Sequence, residues 1–134
     1  MSGHIFFNDR WPGFDDGIYA GARMLEILAN SEKDIFASIP SMISTPEINI
    51  PSTDEEKFQI VEKFKNNSDF QNANIIDIDG IRVEFKEGWG LLRASNTSPV
   101  LVLRFEAETE IDLINIKNIF FNNLKIIKND IKEF

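Results

Sequence analysis

Between residues 74 and 107 the chain reads "NIIDIDGIRVEFKEGWGLLRASNTSPVLVLRFEA", four apolar runs separated by short polar breaks, and this leaves little freedom for the fold. The runs "NIIDI", "IRVEF", "GWGLLRA" and "VLVLRFEA" are strand candidates, rich in β-branched and aromatic residues and bounded by turn formers. Asp79-Gly80 is a tight-hairpin signal, because glycine takes up positive φ without a Cβ clash, and Glu87-Gly88 marks the second turn. Connections this short join antiparallel neighbours, so the segment predicts an antiparallel meander.

Helical patterns flank the meander. "STDEEKFQIVEKFKNN" opens with capping-type hydroxyls and acids in its first turn, and Phe58, Ile60, Val61 and Phe64 recur at helical spacing. "ETEIDLINIKNIFFNNLKIIKNDIKEF" sets Leu113, Ile116, Phe120, Leu124 and Ile127 on one stripe, with Ile114 and Phe121 beside it, which predicts a long C-terminal helix on one sheet face. With a strand expected at 47–50, residues 44–134 read strand, helix, antiparallel strands, helix, an α+β domain with its helices on one face. Upstream, "HIFF" reads as a short strand and "NDRWPGFDD" as a loop. Residues 15–30 form a helix carrying Ile18, Ala22, Leu25 and Leu28 on one face, with Asp15 or Asp16 as its N-cap. "SEKDIFASIP" is a short helical turn ended by Pro40, and the boundary between the two parts falls near residue 44.

At 134 residues, 43% of them apolar and 12 of them Phe, the chain can bury a core. Fourteen basic against 22 acidic side chains give a formal charge of -8, which repels a phosphate backbone, and no run of Lys and Arg with interleaved aromatics offsets it. A nucleic-acid partner is therefore not expected, and the acidity serves surface solubility. The lack of any Cys excludes disulfides, zinc-thiolate sites and a thiol nucleophile, and suits a reducing compartment, so the cytoplasm is the expected location. No stretch approaches the roughly 20 apolar residues of a membrane span, and the N-terminal "MSGHIFFNDRW" lacks a basic segment followed by a long apolar one.

One cluster stands out at the junction of the last two strands. "RASNTSP", residues 93–99, offers the planar donor fork of Arg93, the hydroxyls of Ser95, Thr97 and Ser98, and the amide of Asn96. A bent backbone there can also aim N–H groups inward, and the set suits a phosphate monoester, which needs many donors. Residues of these types equally satisfy backbone groups in ordinary turns, so composition alone leaves the cluster open between a turn and a site. His4 beside a Phe pair has no evident acid-base partner and reads as a surface or structural histidine. Arg104 could approach the cluster or pair across the sheet with Glu106 or Glu84, and Trp89 reads as core or a hinge wall rather than a sugar platform.

The segments "SGHIFF", "FDDGIYAGARMLEIL", "STPEINI", "DGIRVEF" and "GWGLLRASNTSPVLVLRFEAET" together resemble the C-terminal part of the bacterial phosphomannomutase/phosphoglucomutase family of α-D-phosphohexomutases, over nearly the whole chain. The phosphoglucosamine mutases of that superfamily characteristically carry an "RPSGTEP" type of loop, so "RASNTSP" favours the mannose/glucose branch, with Ser98 in place of a second Thr. The resemblance implies a fourth domain of TATA-binding-protein-like fold at 44–134, preceded at 1–43 by the tail of an α/β third domain. It further implies that Arg93, Ser95, Asn96 and Thr97 hold the phosphate that is not being transferred. "MSGH" resembles the end of a "GEMSGH" loop that contacts sugar hydroxyls, which adds Ser2 and His4 as substrate contacts.

The same resemblance implies a phosphoserine and a Mg²⁺ ion held by a "DGDGD"-type loop, and neither motif occurs here. Asp77 and Asp79 in "IDIDG" alternate along a strand and lack further converging carboxylates, so no metal is expected on them. The chain thus reads as a C-terminal fragment that binds phosphosugar but carries no catalytic residue and no cofactor, its partners being the missing N-terminal domains. The alternative is a stand-alone, non-catalytic sugar-phosphate-binding or interaction module. The apolar face of the 15–30 helix, without the rest of its domain, should be covered by self-association or by the fourth domain.

Overall fold

Alternation along the longest apolar runs sets the architecture. In the computed structural model, which describes residues 3–32, 34–68, 70–71 and 73–134, the chain divides into two compact units, Met1–Pro40 and Ser41–Phe134.

The second unit is built on strands β1 (Ile43–Ser44), β2 (Ile48–Pro51), β3 (Asn74–Ile76), β4 (Ile81–Glu84), β5 (Gly88–Ala94) and β6 (Val100–Ala107). They form one antiparallel sheet in the order β1-β6-β5-β4-β3, and β2 pairs with β6 beside β1. All four strands expected between 74 and 107 are present, and Gly80 in the β3–β4 turn has the positive φ, 79°, that the Asp-Gly signal implies. Gly88 has no positive φ: it is glycine because a Cβ there would lie 2.3 Å from the Glu106 carbonyl oxygen.

The two-residue period sorts the sheet into two faces. Ile81, Val83, Gly90, Leu92, Ala94, Leu101, Leu103, Phe105 and Ala107 are buried on one face. That face is covered by two helices, α2 (Glu56–Asn67) and α3 (Glu110–Ile127), as expected from the sequence. Ile60, Val61 and Phe64 of α2 and Ile116, Phe120 and Leu124 of α3 complete the core, each large side chain contributing about 1.5–3 kcal/mol by leaving water. The Phe120 ring lies directly on Gly90, where a Cβ would be 2.5 Å from its edge, and touches Phe64, Phe70 and Phe105 at centroid distances of 5.3, 5.7 and 5.2 Å.

Several expectations need correction. The strand expected at 47–50 spans Ile48–Pro51, and the short β1 was not foreseen. Thr45, between them, accepts the Phe105 N–H on its hydroxyl and donates its own N–H to the Phe105 carbonyl, so a side chain bridges a gap in the ladder. Phe58 was expected on the core stripe of α2 but is 50% exposed, and Lys57 is buried in its place. The last helix ends at Ile127, the last residue of the expected stripe, and the tail beyond it, for which no structure was expected, folds back so that Ile131 is buried and Phe134 stacks on Phe105. Ile114 is exposed.

In the unit Met1–Pro40, "HIFF" forms no strand among the described residues, only a single bridge between Phe6 and Asp15. The helix α1 (Gly17–Asn30) is capped by Asp16, whose carboxylate accepts the N–H groups of Ile18 at 3.0 Å and Tyr19 at 2.9 Å. Its apolar face is uncovered: Ile18 is 90% exposed and no α1 residue is buried. A three-residue 3₁₀ turn, Phe36–Ser38, precedes Pro40. The loop before α1 is tied down by charge: Arg23 donates to Asp9 at 2.9 Å and sits 4.8 Å from the Phe7 ring centre, and Arg10 grips Glu26 with two bonds of 3.0 and 2.6 Å.

Two predictions follow from this packing. Gly90→Ala should destabilise the second unit by about 1–3 kcal/mol, because Phe120 has no room to retreat, and a urea titration reading the sheet should show it. Hydrogen bonds from Arg23 and Arg10 hold the Asp9 and Glu26 carboxyls below the ordinary carboxylate range. Groups with depressed folded pKa values stabilise above their unfolded values and lose that contribution as the pH falls through the folded ones. Carboxyl NMR should therefore give midpoints below normal for both, with the 7–14 loop loosening in the same window; ordinary midpoints would show that the ion pairs do not persist in solution.

Candidate functional site: the β5–β6 loop

The residues singled out in "RASNTSP" lie at the end of the most extensively paired hairpin in the chain. β5 and β6 are in register from Gly88–Ala107 to Ala94–Leu101, which places Arg93 opposite Val102. Alternation puts Ala94 among the core residues and turns Arg93, with Leu91 and Trp89, to the face that α2 and α3 leave uncovered. The backbone at Arg93 is held from behind by Gly80, where a Cβ would fall 2.6 Å from the Arg93 Cβ and 2.3 Å from the Leu92 carbonyl oxygen. Arg93 itself makes no hydrogen bond or ion pair with another described residue, so its five donors remain to be used.

The loop from Ser95 to Pro99 is closed by two backbone bonds, Ser95 N–H to the Val100 carbonyl at 3.0 Å and Val100 N–H to the Ser98 carbonyl at 2.8 Å. Ser95 is 8% exposed, and its hydroxyl oxygen accepts the N–H groups of Thr97 at 3.3 Å and Ser98 at 3.2 Å. The same hydroxyl also lies 3.5 Å from that of Thr97, where either oxygen can donate. Asn96, Thr97 and Ser98 are exposed.

Two bonds from outside the loop fix its far end. The Ser52 N–H donates to the Pro99 carbonyl at 2.9 Å, and the Lys57 ammonium donates to the Ser98 carbonyl at 3.1 Å while also pairing with Asp54 at 2.6 Å. Lys57 is the contributor that sequence reasoning missed. Its signal was present: positions 57, 60, 61 and 64 are one helical stripe, and a lysine on the apolar face of a helix calls for a buried partner.

The remaining candidates are distributed differently. His4, in the unit Met1–Pro40, is engaged through its Nδ1 with the Asp15 carboxylate, a partner that the sequence reading did not supply. Ser2 lies outside the described residues. Arg104 is exposed and pairs with neither Glu106 nor Glu84 among the described residues; Glu84 instead accepts from Arg82 at 2.9 Å and from Asn74 at 3.2 Å, which holds its carboxyl below the usual range. Trp89 is not a core residue: it is half-buried on the outer sheet face, with the Arg82 guanidinium 3.8 Å from its ring centre. Asp77 and Asp79 are exposed at the β3–β4 turn, and among the described residues no group of three His, Cys, Asp or Glu side chains is placed to hold a metal ion. A Mg²⁺ ion therefore has no fitting donor set there. No helix of the described residues is long and apolar enough to cross a membrane.

Chemically, the loop is a rigid frame carrying a charged fork and a row of neutral donors. The chemistry of such a set suits a tetrahedral oxyanion.

Comparison with known proteins identifies the family. Residues 47–122 match the family model for the phosphoglucomutase/phosphomannomutase C-terminal domain, and residues 1–44 match that for the alpha/beta/alpha domain III of the same family. A phosphomannomutase/phosphoglucomutase of Pseudomonas aeruginosa is 55% identical over 130 residues, 95% of this chain and 28% of that protein. A phosphoglucomutase of Neisseria gonorrhoeae is 52% identical over 124 residues, 90% of this chain and 27% of its own length. A crystal structure of a phosphoglucomutase/phosphomannomutase family protein from Burkholderia thailandensis superposes over 100% of this chain and 29% of that one, with a TM-score of 0.86 and 43% identity. The chain thus spans little more than a quarter of the length of these relatives. It belongs to the phosphoglucomutase/phosphomannomutase family and carries that family's C-terminal domain.

Proposed function

We propose that the β5–β6 loop is the phosphate clamp of a phosphomannomutase/phosphoglucomutase that interconverts hexose 1-phosphate and 6-phosphate. The observation that carries this reading is the division of labour within 93–99. The Ser95 oxygen, the Ser52 N–H and the Lys57 ammonium are spent on holding the backbone, while the side chains of Arg93, Asn96 and Ser98 make no hydrogen bond with another described residue and the Thr97 hydroxyl has only a 3.5 Å contact with that of Ser95.

In this role Arg93 meets two oxygens of the dianion with its fork, and Thr97, Ser98 and Asn96 share the others, with Ser95 donating its hydroxyl hydrogen. The clamp grips the phosphate that stays on the sugar, so its binding energy orients the opposite end of the substrate for transfer. His4 and Ser2 are proposed to contact sugar hydroxyls. Phosphoryl transfer itself falls to residues outside this chain, with Mg²⁺ supplying charge stabilisation there. The 134-residue chain by itself is then a binding element without mutase activity. The exposed α1 face, with Ile18 and Leu25, is covered in this reading by the remainder of its α/β/α domain or by a second copy.

Calorimetric titration with glucose 1-phosphate tests the assignment. Arg93→Ala should weaken binding roughly tenfold to hundredfold, and Arg93→Lys should recover only part of it, because a point charge replaces a fork. Equal affinity of wild type and Arg93→Ala would remove the clamp. Binding that is unaffected by transplanting the chain into a full-length relative, with no gain in turnover there, would favour a stand-alone binding module.

A further inference from the structure

Lys57 is the most deeply buried charged side chain in the described chain, with 3% of its surface exposed, yet it lies in the first turns of a helix where water is close at hand. Burying an ammonium is costly unless its hydrogen bonds are made, so its burial calls for a reason beyond packing. Two of its three donors are engaged: one on the exposed carboxylate of Asp54 and one on the carbonyl of Ser98, a residue 41 positions away.

The consequence is geometric. Ser98 and Pro99 both have their carbonyls drawn toward the segment 52–57, by the Lys57 ammonium and the Ser52 N–H respectively. Thr97 and Ser98 correspondingly direct their N–H groups to the Ser95 hydroxyl. The Ser98 carbonyl also accepts the Val100 N–H at 2.8 Å, so the Lys57 ammonium is its second donor and adds a tie from α2 to a stretch that the loop's own bonds hold only from within. The ammonium also draws electron density from a peptide group next to the donors, which favours a negative ligand on the far side.

We infer that Lys57 is a positioning residue for the phosphate clamp: it touches no substrate but fixes the 97–99 backbone in its binding-competent form before the ligand arrives. This rests on the clamp reading above and adds to it that preorganisation of the loop comes from α2. An ordered loop loses less entropy on binding, so the contribution appears in affinity rather than in any new contact.

The test uses the whole 134-residue chain labelled with ¹⁵N and titrated with glucose 1-phosphate. In Lys57→Met, which keeps the volume and removes the charge, affinity should fall about tenfold. The Thr97 and Ser98 amides should lose exchange protection while the core amides of β5 and β6 keep theirs. Ile60→Val, on the same helix stripe, loosens packing without touching the loop and should leave affinity unchanged; Lys57→Arg should restore part of the loss. Should Lys57→Met fail to fold, the wild-type Lys57 ammonium resonance decides: it should be protected and should shift with the same midpoint as the Thr97 and Ser98 amides. Unchanged affinity in Lys57→Met, or an ammonium that exchanges freely and ignores the ligand, overturns the inference and leaves the clamp standing. Absence of any saturable wild-type binding overturns both.

Discussion

The seating of Phe120 on Gly90 is the contact on which the second unit turns. Gly90 has no side chain, so the ring of α3 reaches the backbone of β5, and Phe64, Phe70 and Phe105 close around it. This fixes which sheet face is core, and the two-residue period does the rest. Once Gly90, Leu92 and Ala94 face the helices, Trp89, Leu91 and Arg93 face away. The position of Arg93 beside the loop is therefore decided by an apolar contact several residues distant.

From there the loop inherits its rigidity. The β5–β6 ladder delivers Ser95 and Val100 at hydrogen-bonding distance, and three polar groups, from Ser95, Ser52 and Lys57, fix the residues between. Each is taken from an element the core has already placed: the strand end, the segment before α2 and the first turns of α2. A flexible loop bearing the same side chains would offer the same chemistry at a higher entropic cost.

The meander was legible because its signals are local: alternating apolar residues, an Asp-Gly turn and strands of ordinary length leave few alternatives. The helices were legible in place but less so in detail. Phe58 looked like core by type, and only the tertiary arrangement shows that the stripe runs through Lys57 instead. Thr45 filling a ladder gap and the returning tail with Ile131 and Phe134 are long-range events with no local signature. At the site, residue types revealed donors but not which were already spent. Ser95 read as a free ligand group, whereas its acceptor side serves its own loop, and Lys57 could be found only by asking what a lysine does on an apolar face. His4 was read without its partner Asp15, eleven residues on, because nothing local pairs them.

The central claim is that an anion-binding frame exists in this chain before any ligand or further domain is added. A residue-resolved amide titration of the 134-residue chain with glucose 1-phosphate, with inorganic phosphate alongside, tests it most directly. The account predicts saturable shifts concentrated at residues 93–99, with small changes elsewhere in β5 and β6 and none in the core of α3. Shifts scattered over the surface, or none at high ligand concentration, would contradict a preformed clamp.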